Sequence, residues 1–188
     1  MKKTNNKGFS LVELIIVIAI MAILAGAIAP ALIRYIDKSR KSNDVSAAKT
    51  NKTAVETAMS NEDTYELLTT NAGGSTTDAD GNTIDYSADV VIAQGVTTGS
   101  TGNGVTINSS VTIASNANAK AEAQAEIGKN IGEKTPKVKY KKDAQSGNAV
   151  TGTTNWVVYT TSGGAVVSGV MAGTTFYQLA PEVSKYYQ

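Results

Sequence analysis

Twenty consecutive residues, Leu14 to Ile33, carry no charge, and the wider stretch Phe9 to Ile33 (FSLVELIIVIAIMAILAGAIAPALI) contains one, Glu13. As an α-helix, about 20 apolar residues are enough to cross a hydrocarbon layer roughly 30 Å thick. The stretch is apolar on every side, so it needs lipid, or other helices like itself, around its whole circumference. Lys2, Lys3 and Lys7 lie ahead of it with no acid among them, which holds the N-terminal side in the cytoplasm.

Three readings of this segment compete. A secretory signal peptide finds a small-x-small site at Ala27-Ile28-Ala29 after a basic start. Against it, the apolar run opens on a carboxylate, exceeds the usual length of about 7 to 15 residues and would leave Pro30 just past the cut. A plain membrane anchor accounts for the length and leaves Glu13 unexplained, because an ionised carboxylate in lipid costs on the order of 2.5 to 3.5 kcal/mol or more. In the third reading the chain is cut ahead of the apolar stretch, and the carboxylate gains a partner.

Lys7-Gly8-Phe9-Ser10-Leu11-Val12-Glu13 resembles the prepilin motif of type IV pilins and their relatives: a short basic leader ending in Gly, an aromatic, a Glu four residues on, then about 20 apolar residues. The close similarity covers residues 7 to 36. The resemblance implies that a prepilin peptidase cuts between Gly8 and Phe9 on the cytoplasmic face and that the new Phe9 amine is N-methylated. The implied fold is α+β, a type IV pilin fold in which a long N-terminal helix packs on a C-terminal antiparallel sheet. The implied partners are further copies of the chain in a homopolymer, the peptidase, an assembly platform with its ATPase, minor pilins, and the membrane before assembly.

The chemistry of the residues agrees. Cleavage after Gly8 creates a cationic amine at Phe9, and Glu13 is the only acid among the next 27 residues. In an apolar bundle the Glu13 carboxylate of one chain can neutralise the amine of its neighbour and set register, a pairing rewarded where water is excluded. The bland alternative is a Glu that snorkels to the interface. Gly26 and Pro30 mark a helix break: Pro lacks a backbone donor and clashes with the Gly26 carbonyl. That turn is either a tolerated kink or, as the resemblance suggests, one that loosens when subunits pack.

Downstream, Arg34 to Met59 contains neither Pro nor Gly, and Val45, Ala48, Val55 and Ala58/Met59 fall on one helical face. Arg34, Lys38, Arg40 and Lys41 belong at the membrane surface, with Asp37 and Asp44 in reach as ion-pair partners. Ser60-Asn61-Glu62-Asp63 reads as a capping box opening a short helix through Tyr65, Leu67 and Leu68. Short strands are expected at Thr83–Tyr86, Asp89–Ala93, Val105–Ile107 and Val111–Ile113, and a helix from Asn116 to Lys129 ending near Gly128. Four antiparallel strands follow at Lys137–Lys141, Asn155–Thr160, Ala165–Met171 and Thr174–Leu179. The domain plan is a leader at 1–8, a long helix at 9–60 with its assembly half at 9–33, a loop-rich variable region at 61–135 and a C-terminal sheet at 136–188.

Charge is segregated along the chain. Residues 61 to 119 hold seven acids and no base, while residues 120 to 142 hold seven lysines against three glutamates. The formal net charge of +1 hides this, and nucleic acid is not expected as a partner. Asp78, Asp80, Asn82, Asp85 and Asp89 offer oxygen ligands, yet Gly81 comes too early for an EF-hand loop and no closing Glu follows, so a plain turn is favoured and no metal site is expected. Lys134, Lys137, Lys139, Lys141 and Lys142 read as a solvated strand face. Asn51-Lys52-Thr53 and Asn108-Ser109-Ser110 match the glycosylation sequon by spacing alone.

Cysteine and histidine are both absent, which removes disulfides, Cys/His zinc sites, cysteine nucleophiles and imidazole acid–base schemes. No spacing suggests catalysis; no enzyme activity and no cofactor are expected. The expected function is a major pilin of a surface filament for motility, adhesion or biofilm formation. A minor pilin, a secretion pseudopilin or a competence pilin is the nearest alternative, and a single-span membrane-anchored surface protein that never polymerises is the rival from another class. Because many pilins of Gram-negative bacteria close their C-terminal region with a disulfide, the missing cysteine points to a Gram-positive source.

Overall fold

The computed structural model describes residues 9–98, 102–107, 116–150 and 152–188. Gly8 and the expected strand at Val111–Ile113 lie outside these residues. The chain divides into an N-terminal unit ending at Ser39 and a head running from Arg40 to Gln188. Helix α1 (Leu11–Ala58) is continuous through Gly26 and Pro30. In the single chain Pro30 therefore leaves the Gly26 carbonyl without its helical donor but does not end the helix.

Within the head, α1 buries Asp44, Ala48, Asn51, Val55 and Ala58, an alternation of fours and threes that draws one stripe down the helix. The head then runs α2 (Glu62–Thr69), β1 (Gly74–Thr77), β2 (Thr83–Tyr86), β3 (Ala88–Ile92), β4 (Val105–Ile107), α3 (Ala119–Ile131), β5 (Thr154–Thr160), β6 (Val166–Ala172) and β7 (Thr175–Ala180), and closes on a 3₁₀ turn at Lys185–Tyr187. The protein is α+β, its long N-terminal helix packing in the head on an antiparallel sheet of order β4-β3-β5-β6-β7.

Alternation along β5 divides the interior in two. Trp156 and Val158 face the main core, where they join Ala48, Val55, Leu68 and Ile127. Val157 and Tyr159 face the other way and meet Ile84 of β2 and Phe176 of β7, so the β1–β2 hairpin covers part of the outer sheet face. Trp156 is fully buried, and its indole N–H donates to the Pro136 carbonyl at 2.8 Å, which satisfies the one polar group this large side chain brings inside.

Three expectations are corrected. Asn61, one residue beyond the expected start of the box, caps α2 by accepting from the Thr64 amide at 3.2 Å; Asn is as good an N-cap as Ser. Helix α3 passes through Gly128 and ends at Gly132, whose φ of 112° suits only glycine. Gly128 answers to a packing need instead, since a Cβ there would sit 3.0 Å from the Gly102 Cα. Residues 137–141 form no strand: Val138 and Tyr140 do point inward, but the amides of 138, 139 and 140 are taken by side chains of Gln94 and Asp44. The sheet draws its other strands, β3 and β4, from upstream. The sequon at Asn51, a match of spacing alone, is closed to a glycan in the folded head because Asn51 is fully buried; Asn108 lies outside the described residues.

Candidate functional site

The N-terminal unit presents apolar side chains on every side. From Phe9 to Ile33 its large hydrophobic residues are between 46% (Val17) and 87% (Phe9) exposed, and α1 is long and apolar enough to cross a membrane. So much unpartnered apolar surface is stable only against lipid or protein.

One polar feature stands at its start. The Ser10 amide donates to Glu13 Oε2 at 2.9 Å, and Leu14 N–H donates to the Ser10 carbonyl at 3.2 Å. Ser10-x-x-Glu13 is thus the N-cap and third residue of α1, with the Glu reaching back over the first turn as in a capping box. The carboxylate also sits at the positive end of the helix dipole. This holds Glu13 on the side of the helix end that leads to Phe9. The expected assembly residues Phe9 and Glu13 therefore fall together, while Gly26 and Pro30 lie farther along the same helix. The Ser-x-x-Glu spacing ahead of an apolar run was a readable signal that the sequence analysis missed.

A second constellation, also missed, closes the head where α1 comes in. Asp44 accepts the Lys139 amide at 2.7 Å and the Tyr140 amide at 2.8 Å. Burial raises its carboxyl to about 6, although both amides and the Lys139 charge pull it down. One turn earlier, Lys41 Nζ donates to the Tyr186 carbonyl at 2.5 Å and lies 5.0 Å from the Tyr140 ring centroid. Lys41 and Asp44, expected at a membrane surface, instead bind the C-terminal segments. Next to them Tyr177 donates to Asp143 Oδ2 at 2.8 Å and accepts the Gln145 amide; burial pushes the phenol up to about 12. Tyr177→Phe is expected to cost about 1 kcal/mol, read as a drop of a few degrees in the melting temperature of the head.

Two carboxylates of the acidic loop are spent internally. Asp78 accepts the Asp80 and Asn82 amides and the Asn82 side chain, and Asp80 lies 3.6 Å from Lys185 Nζ. Among the described residues no group of three or more acidic side chains is placed to hold a metal ion.

Residues 3–29 match the family described as the prokaryotic N-terminal methylation motif. The chain carries the prokaryotic N-terminal methylation motif. Over 54 residues it is 48% identical to fimbrial protein Q of Moraxella bovis, a similarity that covers 29% of this chain and 34% of that protein. The chain thus spans about a third of the curated relative's length. No solved structure matches. The expected Gram-positive source is not supported, since this relative comes from a Gram-negative bacterium. The head, which has no cysteine, closes its C-terminal region through Lys41, Asp44 and the tyrosines.

Proposed function

We propose that this protein is the major structural subunit of a type IV pilus. The precursor rests in the cytoplasmic membrane through the first part of α1, is cut between Gly8 and Phe9, and is methylated on the Phe9 amine. It then polymerises helix against helix into a surface filament, drawn from the membrane by an assembly platform and its ATPase. In this reading the role is structural and not catalytic.

The observation that carries the proposal is the exposed apolar helix that begins within the methylation motif and has a single carboxylate in its first turn. Lipid accounts for the helix before assembly and neighbouring helices account for it afterwards. The Phe9 amine gives Glu13 a counter-charge in both settings. Pro30, where one carbonyl already lacks its donor, is the turn that can loosen as helices pack. Fimbrial protein Q, by its name a fimbrial protein, supports the same class. Motility, adhesion and biofilm formation are the activities such a filament would serve.

The mass of the mature chain tests the processing step. The expected result is a chain that starts at Phe9 with one added methyl group; a chain that retains Met1 to Gly8 would refute it and favour a plain membrane anchor.

A further inference from the structure

The charge blocks of the sequence become the two ends of the head. Strand β5 measures the distance between them: six steps of roughly 3.3 Å, about 20 Å, separate Thr154 from Thr160. At the Thr160 end its hydroxyl donates to the Leu68 carbonyl, which places α2 there, and Asn116 Nδ2 bridges Asp63 and Glu122 at 2.8 and 3.1 Å, which brings the first turn of α3 to the same place. Glu62, Glu66 and Glu122 are exposed on this end, with Lys120 the base beside them. At the Thr154 end, Gln94 donates to the Thr154 carbonyl and accepts the Val138 amide, and Asp44 fixes residues 139 and 140. Lys134, Lys137, Lys139 and Lys141 are exposed here, with Glu133 the exposed acid beside them.

Helix α1 runs through the head from the lysine end, at Asp44, to the glutamate end, at Ala58. Of the other acids of the acidic block, Asp78 closes its own turn and Asp80 faces Lys185, while Asp85 is exposed on β2 and Asp89 half-buried on β3. These two groups of exposed charge therefore stand at opposite ends of the part of α1 that lies in the head.

We propose that the lysine end of one head docks on the glutamate end of a second copy of this chain. The proposal rests on the filament reading, which supplies the geometry. Parallel helices staggered along a common axis bring the end where α1 comes into one head over the end where it leaves the head below. Rows of opposite charge fix that stagger, because a lateral slip or an antiparallel approach sets like charge against like.

The test uses the full chain in cells that assemble it. One variant carries Lys134→Glu, Lys137→Glu and Lys141→Glu; Lys139 is kept because its charge supports Asp44. The second carries Glu62→Lys, Glu66→Lys and Glu122→Lys, and the third combines all six. Each triple variant is expected to lower the yield of sheared filaments about tenfold, and the combination to restore it to within about threefold of wild type. Wild-type filaments should also shorten as NaCl is raised from about 0.05 to about 0.5 M, a readout that needs no variant to fold. The proposal is overturned if the triples assemble normally, if the combination assembles no better than either triple while its head remains protease-resistant, or if wild-type length ignores salt. Wild-type cells with no filaments at all would overturn the filament reading together with it, whereas wild-type filaments beside unaffected variants would overturn the docking alone.

Discussion

Glu13→Leu should leave the precursor inserted and cleaved but abolish filaments. The substitution lengthens the apolar run and removes the one acid in the assembly half of α1, so insertion does not suffer. What is lost is the counter-charge of the Phe9 amine. An uncompensated cation among packed apolar helices costs several kcal/mol at every subunit, and a polymer repeats that cost along its length. The loss of the Ser10 N-cap partner adds about 1 kcal/mol or less. Ser10→Ala serves as the control, since it changes the same cap position and spares both the carboxylate and the backbone amide that donates to it; filaments should persist. Immunoblots of membrane and sheared fractions separate the outcomes. Normal filaments from Glu13→Leu would contradict the assigned role.

Asp44→Ala should destabilise the head by about 3 kcal/mol, because the Lys139 and Tyr140 amides lose their acceptor in a buried place. The same residue sets an unusual pH dependence. Its carboxyl is raised to about 6 from an ordinary 3.8, so between those values the folded head holds more proton than the unfolded chain. Stability contributed by a raised acid is fully present below the unfolded value and is lost as pH rises through the folded one. The head is therefore expected to be more stable at pH 5 than at pH 7.5, by about 1.4 kcal/mol. The chain has no histidine to titrate in that window. Asp143, held below its ordinary value chiefly by the Ser146 amide, acts in the opposite sense and only at lower pH. Thermal unfolding of the detergent-solubilised chain, followed through Trp156, should show the rise toward acid in wild type and lose it in Asp44→Asn.

The N-terminal unit was legible because its signal is local. Length, charge and the Gly8-Phe9-Ser10-Leu11-Val12-Glu13 spacing need no tertiary partner to be read. The strands β5, β6 and β7 were legible for a similar reason: each is a β-rich run bounded by turn residues, and their registers are those of consecutive hairpins. Failures came where a side chain at long sequence separation decides the backbone. Residues 137–141 alternate as a strand would, yet Asp44, 95 residues away, takes the amides that a neighbouring strand would have used. Asp44 itself looked like a surface partner for Arg40 and Lys41 because nothing nearby in sequence announces that it is buried. The joining of β3 to β5 was equally invisible, for 61 residues separate Ile92 from the start of β5 at Thr154.

Electron microscopy of cells labelled with an antibody against the head tests the central claim most directly. A major filament subunit predicts gold along the whole length of surface filaments, in sheared preparations whose subunits start at Phe9. Label confined to the cell membrane, with filaments absent or bare, would contradict it.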